Sequence, residues 1–197
     1  EKPATGGAVQ AGTGKKVYLT FDDGPSKETE KILDILKKRQ VKATFFSIGR
    51  DDAFSKKMYQ RIVKEGHTLG MHSYSHQYKE IYQSMDAFQA DYERISNCLT
   101  AATGIKPLYY RFPGGSTEVT EKLQMTDLDA YFNAQGASYF DWNVIAANNT
   151  TDDVSVNKMV DSVMNGVALY DTSIVLMYDS VDRKMTAKSL DSILDYL

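Results

Sequence analysis

Two polar motifs in the first half of the chain contain residue types that bind divalent metals. Asp22 and Asp23 are adjacent and directly follow the β-rich run Val17–Phe21. His72 and His76 are four residues apart and also follow a short apolar run. Two imidazoles at this spacing in a helical turn lie on one face, where both can bind one cation. Either motif alone is more often structural, but together they predict a three-ligand site of two histidines and one aspartate.

The two adjacent carboxylates are predicted to have different tasks. Side chains alternate along a strand, so Asp22 and Asp23 should point in different directions. One can then hold a metal while its neighbour faces a substrate. The third histidine, His67, follows Gly66 and precedes a strand, and we interpret it as structural.

The elements that must position these motifs alternate between strands and helices. The clearest helix carries Phe88, Tyr92, Ile95 and Leu99 at helical spacing. Repeated βα units build parallel sheets or barrels, and a (β/α) barrel assembles its active site at the carboxyl ends of its strands. The polar motifs follow predicted strands in this way. Strand-like runs occur at Val17–Phe21, Ala43–Ile48, His67–Met71, Leu108–Arg111, Tyr139–Val144 and Ser173–Tyr178.

Length and composition indicate one globular domain. The 197 residues carry a formal net charge of −3, and no dense Lys/Arg cluster occurs, which argues against a nucleic-acid partner. No apolar run is long enough for a transmembrane helix. The glycine- and alanine-rich residues 1–15 are predicted to be a flexible linker that precedes a catalytic domain at 16–197. The single cysteine, Cys98, excludes an internal disulfide and a cysteine-based metal site.

Three segments together resemble the first three motifs of the polysaccharide deacetylases, which are carbohydrate esterase family four, the nodulation-protein-B homology domain. These segments are Thr20–Pro25, His72–His76 and Arg111–Gly115. They occur in the family's order, and the resemblance covers Lys16–Leu197. It implies a distorted (β/α) barrel with about six or seven parallel strands. The chain ends before the last strand that we expect, so either the barrel is short on that side or the residues of that strand are disordered or absent.

The resemblance also implies a role for each polar residue. Asp23, His72 and His76 would hold a divalent metal, usually zinc. Asp22 would be the base that activates the attacking water. Arg111 would pair with Asp22, hold it ionised and lower its pKa.

The same resemblance suggests residues that contact the substrate. A backbone N–H of the segment around Gly114 could stabilise the oxyanion, since glycine lets the chain approach closely. Leu176 would contact the acetyl methyl group, and an ordinary core position is an equal alternative. Phe112 could stack on a sugar ring. The same is predicted for some of Tyr74, Tyr78 and Tyr110.

The last two motifs of the family are altered. The fifth motif has a histidine as general acid, and the matching strand here ends at Tyr178. A tyrosine has an unperturbed pKa of about 10 and is a weak acid, and losing a general acid costs about 10²- to 10⁴-fold in rate. The fourth motif has an aspartate that tunes this histidine. Strand register favours Ile145 as its counterpart, and Asp141-Trp142 is the alternative.

These observations predict a hydrolase that removes N-acetyl, or O-acetyl, groups from a polysaccharide, with peptidoglycan favoured. The alternative is a catalytically silent domain that retains the metal and binds glycan. We expect a bacterial protein that acts outside the cell or at its surface, with a membrane-anchored parent as one option. A monomer with no partner other than the N-acetylated polysaccharide is expected.

Overall fold

The computed structural model describes residues 8–11, 14–119, 122–146 and 154–197. Seven parallel strands form one curled sheet in the order β6-β5-β4-β3-β2-β8-β7, with β1 paired to β2. The half-barrel confirms the predicted α/β class and strand number. The strands are β1 (Ala8–Ala11), β2 (Lys15–Asp22), β3 (Thr44–Ile48), β4 (Thr68–Ser73), β5 (Tyr109–Tyr110), β6 (Ser138–Tyr139), β7 (Val144–Ile145) and β8 (Thr172–Tyr178).

The prediction of a flexible linker over residues 1–15 is wrong for Ala8–Ala11. This segment is β1, which pairs antiparallel with Lys15–Tyr18 of β2. On that side of β2, pairing with β3 begins only at Thr20. The first half of β2 therefore has backbone groups open for another strand, and β1 satisfies them. Residues 1–7, 12 and 13 lie outside the described part of the chain.

The single strand predicted at Tyr139–Val144 is also wrong, because the structure has two short strands with a break between them. β6 pairs with β5, and β7 pairs with β8. Between them, the carbonyl oxygens of Phe140 and Asp141 accept hydrogen bonds from the guanidinium of Arg111, at 3.0 and 3.1 Å. The side chain of Arg111 thus takes acceptors that a continuous strand would have offered to a neighbouring strand.

Most of the helices form where apolar spacing predicted them, and the short α3 was not predicted. Ser26 caps the first helix as expected, since its hydroxyl accepts from the amide of Glu28. The side chains of Phe88, Tyr92, Ile95 and Leu99 are all buried. The helices are α1 (Lys27–Arg39), α2 (Ala53–Lys64), α3 (Tyr78–Ile81), α4 (Met85–Thr103), α5 (Met125–Gln135), α6 (Val156–Ala168) and α7 (Lys184–Tyr196), and Ser116–Glu118 is a 3₁₀ turn. In the described ranges, no helix is both long and apolar enough to cross a bilayer.

An aromatic cluster between α4, α5 and the sheet corrects one predicted role. Phe112 is fully buried and packs edge-on against Tyr110 and Tyr139, with ring centroids 5.3 and 5.0 Å away. Tyr110 is fully buried as well. Tyr110 and Phe112 flank Arg111 in the sequence, and both rings point into the core. Neither ring can therefore stack on a sugar.

Candidate active site and metal centre

The candidate site lies at the carboxyl ends of β2, β4 and β8. Asp22 is the last residue of β2, and Asp23 follows it with a left-handed φ of 72°. His72 lies in β4, and His76 lies in the loop that follows it, also with a positive φ of 55°. The predicted helical turn between the two histidines is therefore wrong, although the two imidazoles do lie side by side, 5.2 Å apart.

Asp91 of α4 holds the histidine loop, and sequence reasoning missed it. Its carboxylate accepts from the hydroxyl of Ser73 at 2.8 Å and from the backbone amides of Tyr74 and Ser75 at 2.7 and 2.9 Å. The hydroxyl of Ser73 accepts from the amide of His76 at 2.9 Å. The sequence does place a carboxylate directly before Tyr92, a residue of the buried helix face. Residue spacing alone, however, could not identify the loop groups that this carboxylate binds.

Asp23, His72 and His76 converge on one point. Oδ1 of Asp23 lies 3.3 Å from Nε2 of His72 and 3.2 Å from Nε2 of His76. The three potential ligand atoms all lie within 4.8 Å of one another. Two imidazole nitrogens and one carboxylate oxygen are a ligand set that zinc commonly takes at catalytic sites.

The hydrogen bonds around the imidazoles suit a cation. Nδ1 of His72 lies 2.8 Å from the carbonyl oxygen of Arg111. A carbonyl only accepts, so Nδ1 carries the proton, and Nε2 presents its lone pair toward Asp23. Nε2 of His76 is buried and contacts Asp23 without a hydrogen-bond partner. The residues therefore fit a divalent metal.

The carboxylates near the histidines favour positive charge. Burial opposes ionisation of Asp23, but the close contacts and positive charges of both imidazoles outweigh it and lower the pKa of the carboxyl. Burial likewise opposes charge on His72, and Asp23 and Asp22 outweigh it and raise the pKa of the imidazole. A metal cation would use the same attraction that favours a proton here.

Arg111 is the fixed support of Asp22. Its side chain is fully buried, and NH1 donates to Oδ1 of Asp22 at 2.9 Å and to the hydroxyl of Thr20 at 2.6 Å. Its Nε and NH2 donate to the backbone oxygens of Phe140 and Asp141. These four hydrogen bonds point in different directions and hold the guanidinium in a single orientation. The guanidinium in turn fixes the position of the Asp22 carboxylate.

The expected low pKa of Asp22 is not what the structure gives. Burial raises the pKa of this carboxyl, and the opposing charges of Arg111 and His72 do not fully offset it. The expectation counted the charge of Arg111 but not the loss of water around a side chain that is only 2% exposed.

Asp141 and Trp142, the alternative counterpart of the fourth motif, border the site. The carboxylate of Asp141 accepts from the amide of Ser116 at 2.9 Å and also contacts its hydroxyl. The Trp142 ring lies 5.6 Å from the guanidinium of Arg111 and against Gly115. Ile145 instead pairs in register with Leu176. The sole tryptophan, directly preceded by an aspartate, is the sequence feature on which this alternative depends.

Tyr178, the last residue of β8, lies at the same end of the sheet as Asp22. Its Cα pairs in register with that of Asp22 on the neighbouring parallel strand, so both side chains project to the same face. Burial and the negative charges of Asp22 and Asp23 raise the pKa of its hydroxyl. The guanidinium of Arg183 lies 5.3 Å from the ring centre of Tyr178.

The other residues predicted to contact the substrate differ in how exposed they are. Leu176 is 1% exposed and, with Tyr178, lines a cavity of 350 Å³ between the end of β8 and the first turns of α7. Gly114 has a φ of +80°, and a side chain there would collide with Glu118 and Tyr78. Tyr78 is 39% exposed and stands edge-on to His76, so it remains a candidate for sugar contact.

His67 has the structural environment that we predicted. Its ring is buried, and Nδ1 accepts the backbone N–H of Ala43 at 3.2 Å. Burial and the nearby charge of Lys42 lower the pKa of His67 to about 4. It lies before β4, at the opposite end of the strand from His72.

Several known proteins that this chain resembles are described as deacetylases. Residues 10–132 match the sequence model of the family described as polysaccharide deacetylase. A peptidoglycan-N-acetylglucosamine deacetylase of Bacillus cereus is 33% identical over 150 residues, which are 76% of this chain and 54% of that protein. The chain spans 28% to 54% of the length of several such curated relatives.

Solved structures agree over nearly the whole chain. The catalytic domain of a peptidoglycan N-acetylglucosamine deacetylase from Eubacterium rectale is 36% identical, with a TM-score of 0.83, over 98% of this chain and 88% of that one. A Streptococcus mutans CE4 esterase is 30% identical, with a TM-score of 0.85, over 99% and 92%. The three motifs, the half-barrel and these matches lead to one conclusion: the chain belongs to the polysaccharide deacetylase family.

Proposed function

We propose that this chain hydrolyses N-acetyl groups on a bacterial cell-wall glycan of the peptidoglycan type, outside the cell or at its surface. The observation that carries the proposal is the convergence of Asp23, His72 and His76 beside the buried Asp22–Arg111 pair. Metal binding alone would require the three ligands but not this pair. The relatives named as peptidoglycan deacetylases support the choice of glycan.

Asp23, His72 and His76 would hold the divalent metal, and zinc suits their donor atoms best. A bound ion would act as a Lewis acid toward the acetyl carbonyl and the attacking water. Asp91 would keep His76 in place through Ser73, because its carboxylate and the Ser73 hydroxyl fix the loop backbone. The Nδ1–H of His72 would hold that imidazole against the carbonyl of Arg111.

Asp22 would be the general base. Arg111 contacts its Oδ1, which leaves Oδ2 to accept a proton from the attacking water. A base works best when its pKa lies near the working pH, and burial raises the pKa of Asp22 in that direction. Arg111 counteracts the rise, so it would keep the carboxyl ionised while holding it in position.

Two further residues would contact the acetyl group. Gly114 has a left-handed φ of 80°, and its backbone N–H would stabilise the oxyanion. Leu176 lines the cavity next to Tyr178 and would contact the acetyl methyl group. Tyr178 would stand where the family has its acid, and its raised pKa lets it donate a hydrogen bond but makes proton transfer unfavourable.

Tyr178 also favours a second candidate function. An amine leaving group needs a proton more than an alcohol does, so a site with a weak acid suits O-acetyl esters better. The relative described as an esterase is consistent with this activity. With neither activity, the domain would be a silent metal-containing glycan-binding module.

Acetate release separates these possibilities. The chain is assayed on N-acetylated glycan and on an O-acetylated glycan, each with added zinc and with chelator. Chelator-sensitive release from the N-acetylated glycan supports the proposal. Release from the ester alone identifies the esterase, and binding of glycan with no acetate release from either substrate would sink both enzymatic proposals.

A further inference from the structure

A second polar cavity lies at the end of the sheet opposite the candidate active site. It has a volume of 720 Å³ and lies between the C-terminal parts of α1 and α2, beside the segment that enters β4. One carboxylate, Glu65, borders it. Five cationic side chains line it: Lys37, Lys42, Lys57, Arg61 and Lys64.

Part of this positive charge is already neutralised. Arg61 contacts Glu65 at 2.6 Å and Asp34 at 2.5 Å. Lys57 lies 3.7 Å from Glu30. The other three lysines have no carboxylate within ion-pair distance among the residues that the structure describes. They are Lys37, Lys42 and Lys64, and Lys42 donates only to the carbonyl oxygen of Glu65.

The charges of all three of these lysines lie at the C-terminal end of a helix. Lys37 and Lys64 lie in the last turns of their helices, where a cation stabilises the helix end. Lys42 lies outside both helices, in the segment before β3. Its ammonium group donates to the carbonyl oxygen of Glu65, the C-cap of α2, so the charges of all three lysines meet at the helix ends that border one cavity.

His67 supplies an independent observation that points to a ligand. It is 4% exposed and lines the cavity. Its Nδ1 accepts the amide N–H of Ala43, so a neutral ring must carry its proton on Nε2. That Nε2 is buried and has no hydrogen-bond partner. A buried donor without an acceptor is unfavourable, and an anion in the cavity would satisfy it.

We propose that this cavity binds a phosphate group, held by Lys37, Lys42 and Lys64 and by the Nε2–H of His67. Phosphate carries up to two charges and several acceptor oxygens, so donors from different directions can bind it at once. The volume leaves room for a substituent on the phosphate. The site is remote from Asp22 and its neighbours, so it does not depend on the function proposed above.

Imidazole NMR on the intact chain tests the proposal. Inorganic phosphate is titrated at constant ionic strength, and the Nε2–H resonance of His67 is followed. A saturable shift is expected, and the variant Lys37→Gln/Lys42→Gln/Lys64→Gln should weaken binding about tenfold or more. The matched control Lys184→Gln/Lys188→Gln should bind like the parent. The signals of His72 and His76 report separately on any phosphate at the metal centre.

Vesicles distinguish the source of the phosphate group. Binding to phosphatidylglycerol vesicles but not to phosphatidylcholine vesicles, lost in the triple variant, would assign the site to lipid headgroups. A His67 shift with inorganic phosphate but no vesicle binding would assign it to a soluble phosphate compound. The proposal is overturned if neither probe binds, or if the folded triple variant responds as the parent does.

Discussion

The two sides of the candidate site bury carboxyl groups in opposite ways. At the ends of β2 and β4, Asp22 and Asp23 lie beside cations or potential cations, since Arg111 contacts one and both imidazoles contact the other. At the end of β8, Asp179 is also buried, yet its carboxyl contacts the hydroxyl of Thr29 at 2.7 and 2.9 Å and that of Ser26 at 3.3 Å.

The two sides of the site therefore favour different protonation states. The first side can keep carboxylates ionised and attract a metal. On the second side, burial raises the pKa of Asp179 to about 8 and also raises that of Tyr178. The site is therefore suited to accept a proton at Asp22, and poorly suited to release one from Tyr178. Four substitutions test this contrast.

The largest effect is expected on the side that accepts the proton. Asp22→Asn should lower acetate release about 10³-fold, because an amide cannot take the proton. Metal content, measured by mass spectrometry of the purified protein, should stay near that of the parent. Asp23→Asn is the matched control, and it should lose metal. Loss of metal from Asp22→Asn instead would mean that the two aspartates have exchanged roles.

A smaller effect is expected on the side that should supply the proton. Tyr178→His should raise N-deacetylation about 10²-fold, and ester cleavage by less, because imidazolium is a far stronger acid than a phenol. The gain is limited, since no carboxylate occupies Ile145 to orient the ring. Tyr178→Phe is the control and should gain nothing. An unchanged N-deacetylation rate in Tyr178→His would show that proton supply is not limiting.

The Asp179 carboxyl should make stability depend on pH. Its folded pKa of about 8 exceeds the ordinary value of 3.8. Between these values the unfolded chain loses a proton that the folded chain keeps, so the free energy of unfolding falls as pH rises from about 4 to about 8. Asp179→Asn should match the parent near pH 4 and exceed it by up to about 5 kcal/mol at pH 8, measured by urea unfolding. A constant difference across this range would contradict the assignment.

The smallest effect is expected from the cation over Tyr178. Arg183→Gln should change acetate release less than about threefold, since a partly exposed cation–π contact contributes only about 0.5–1 kcal/mol. Lys184→Gln serves as the neighbouring control. A large loss of acetate release in Arg183→Gln, but not in the control, would show that this guanidinium contacts the substrate. The side of the site that carries Tyr178 would then contribute more to catalysis than we propose.

Sequence reasoning found the strands and most of the polar site because both depend on local patterns. The runs that became β2 and β8 were apolar and β-branched, and Asp22, Asp23 and His72 lie at or directly after strand ends. The loop that carries His76 was not predictable in detail. Its left-handed φ depends on Asp91, which comes from a helix later in the chain.

The failures share a cause, which is that buried long-range contacts override local preference. Tyr139–Val144 reads as one strand, but Arg111 takes two of its carbonyl oxygens. Phe112 lies next to Arg111, yet α4 and α5 enclose its ring. The pKa of Asp22 depends on burial that no spacing records. Partners tens of residues away decide each of these features.

The position of Trp142 gives the protein a built-in optical probe. It is the only tryptophan in the chain, and its half-buried ring lies against Gly115 and near the guanidinium of Arg111. Indole emission depends on nearby charge and on contact with water. Selective excitation of this one fluorophore would therefore report on the immediate surroundings of Arg111 without any label, so loading of metal or glycan could be followed in real time on the unmodified chain.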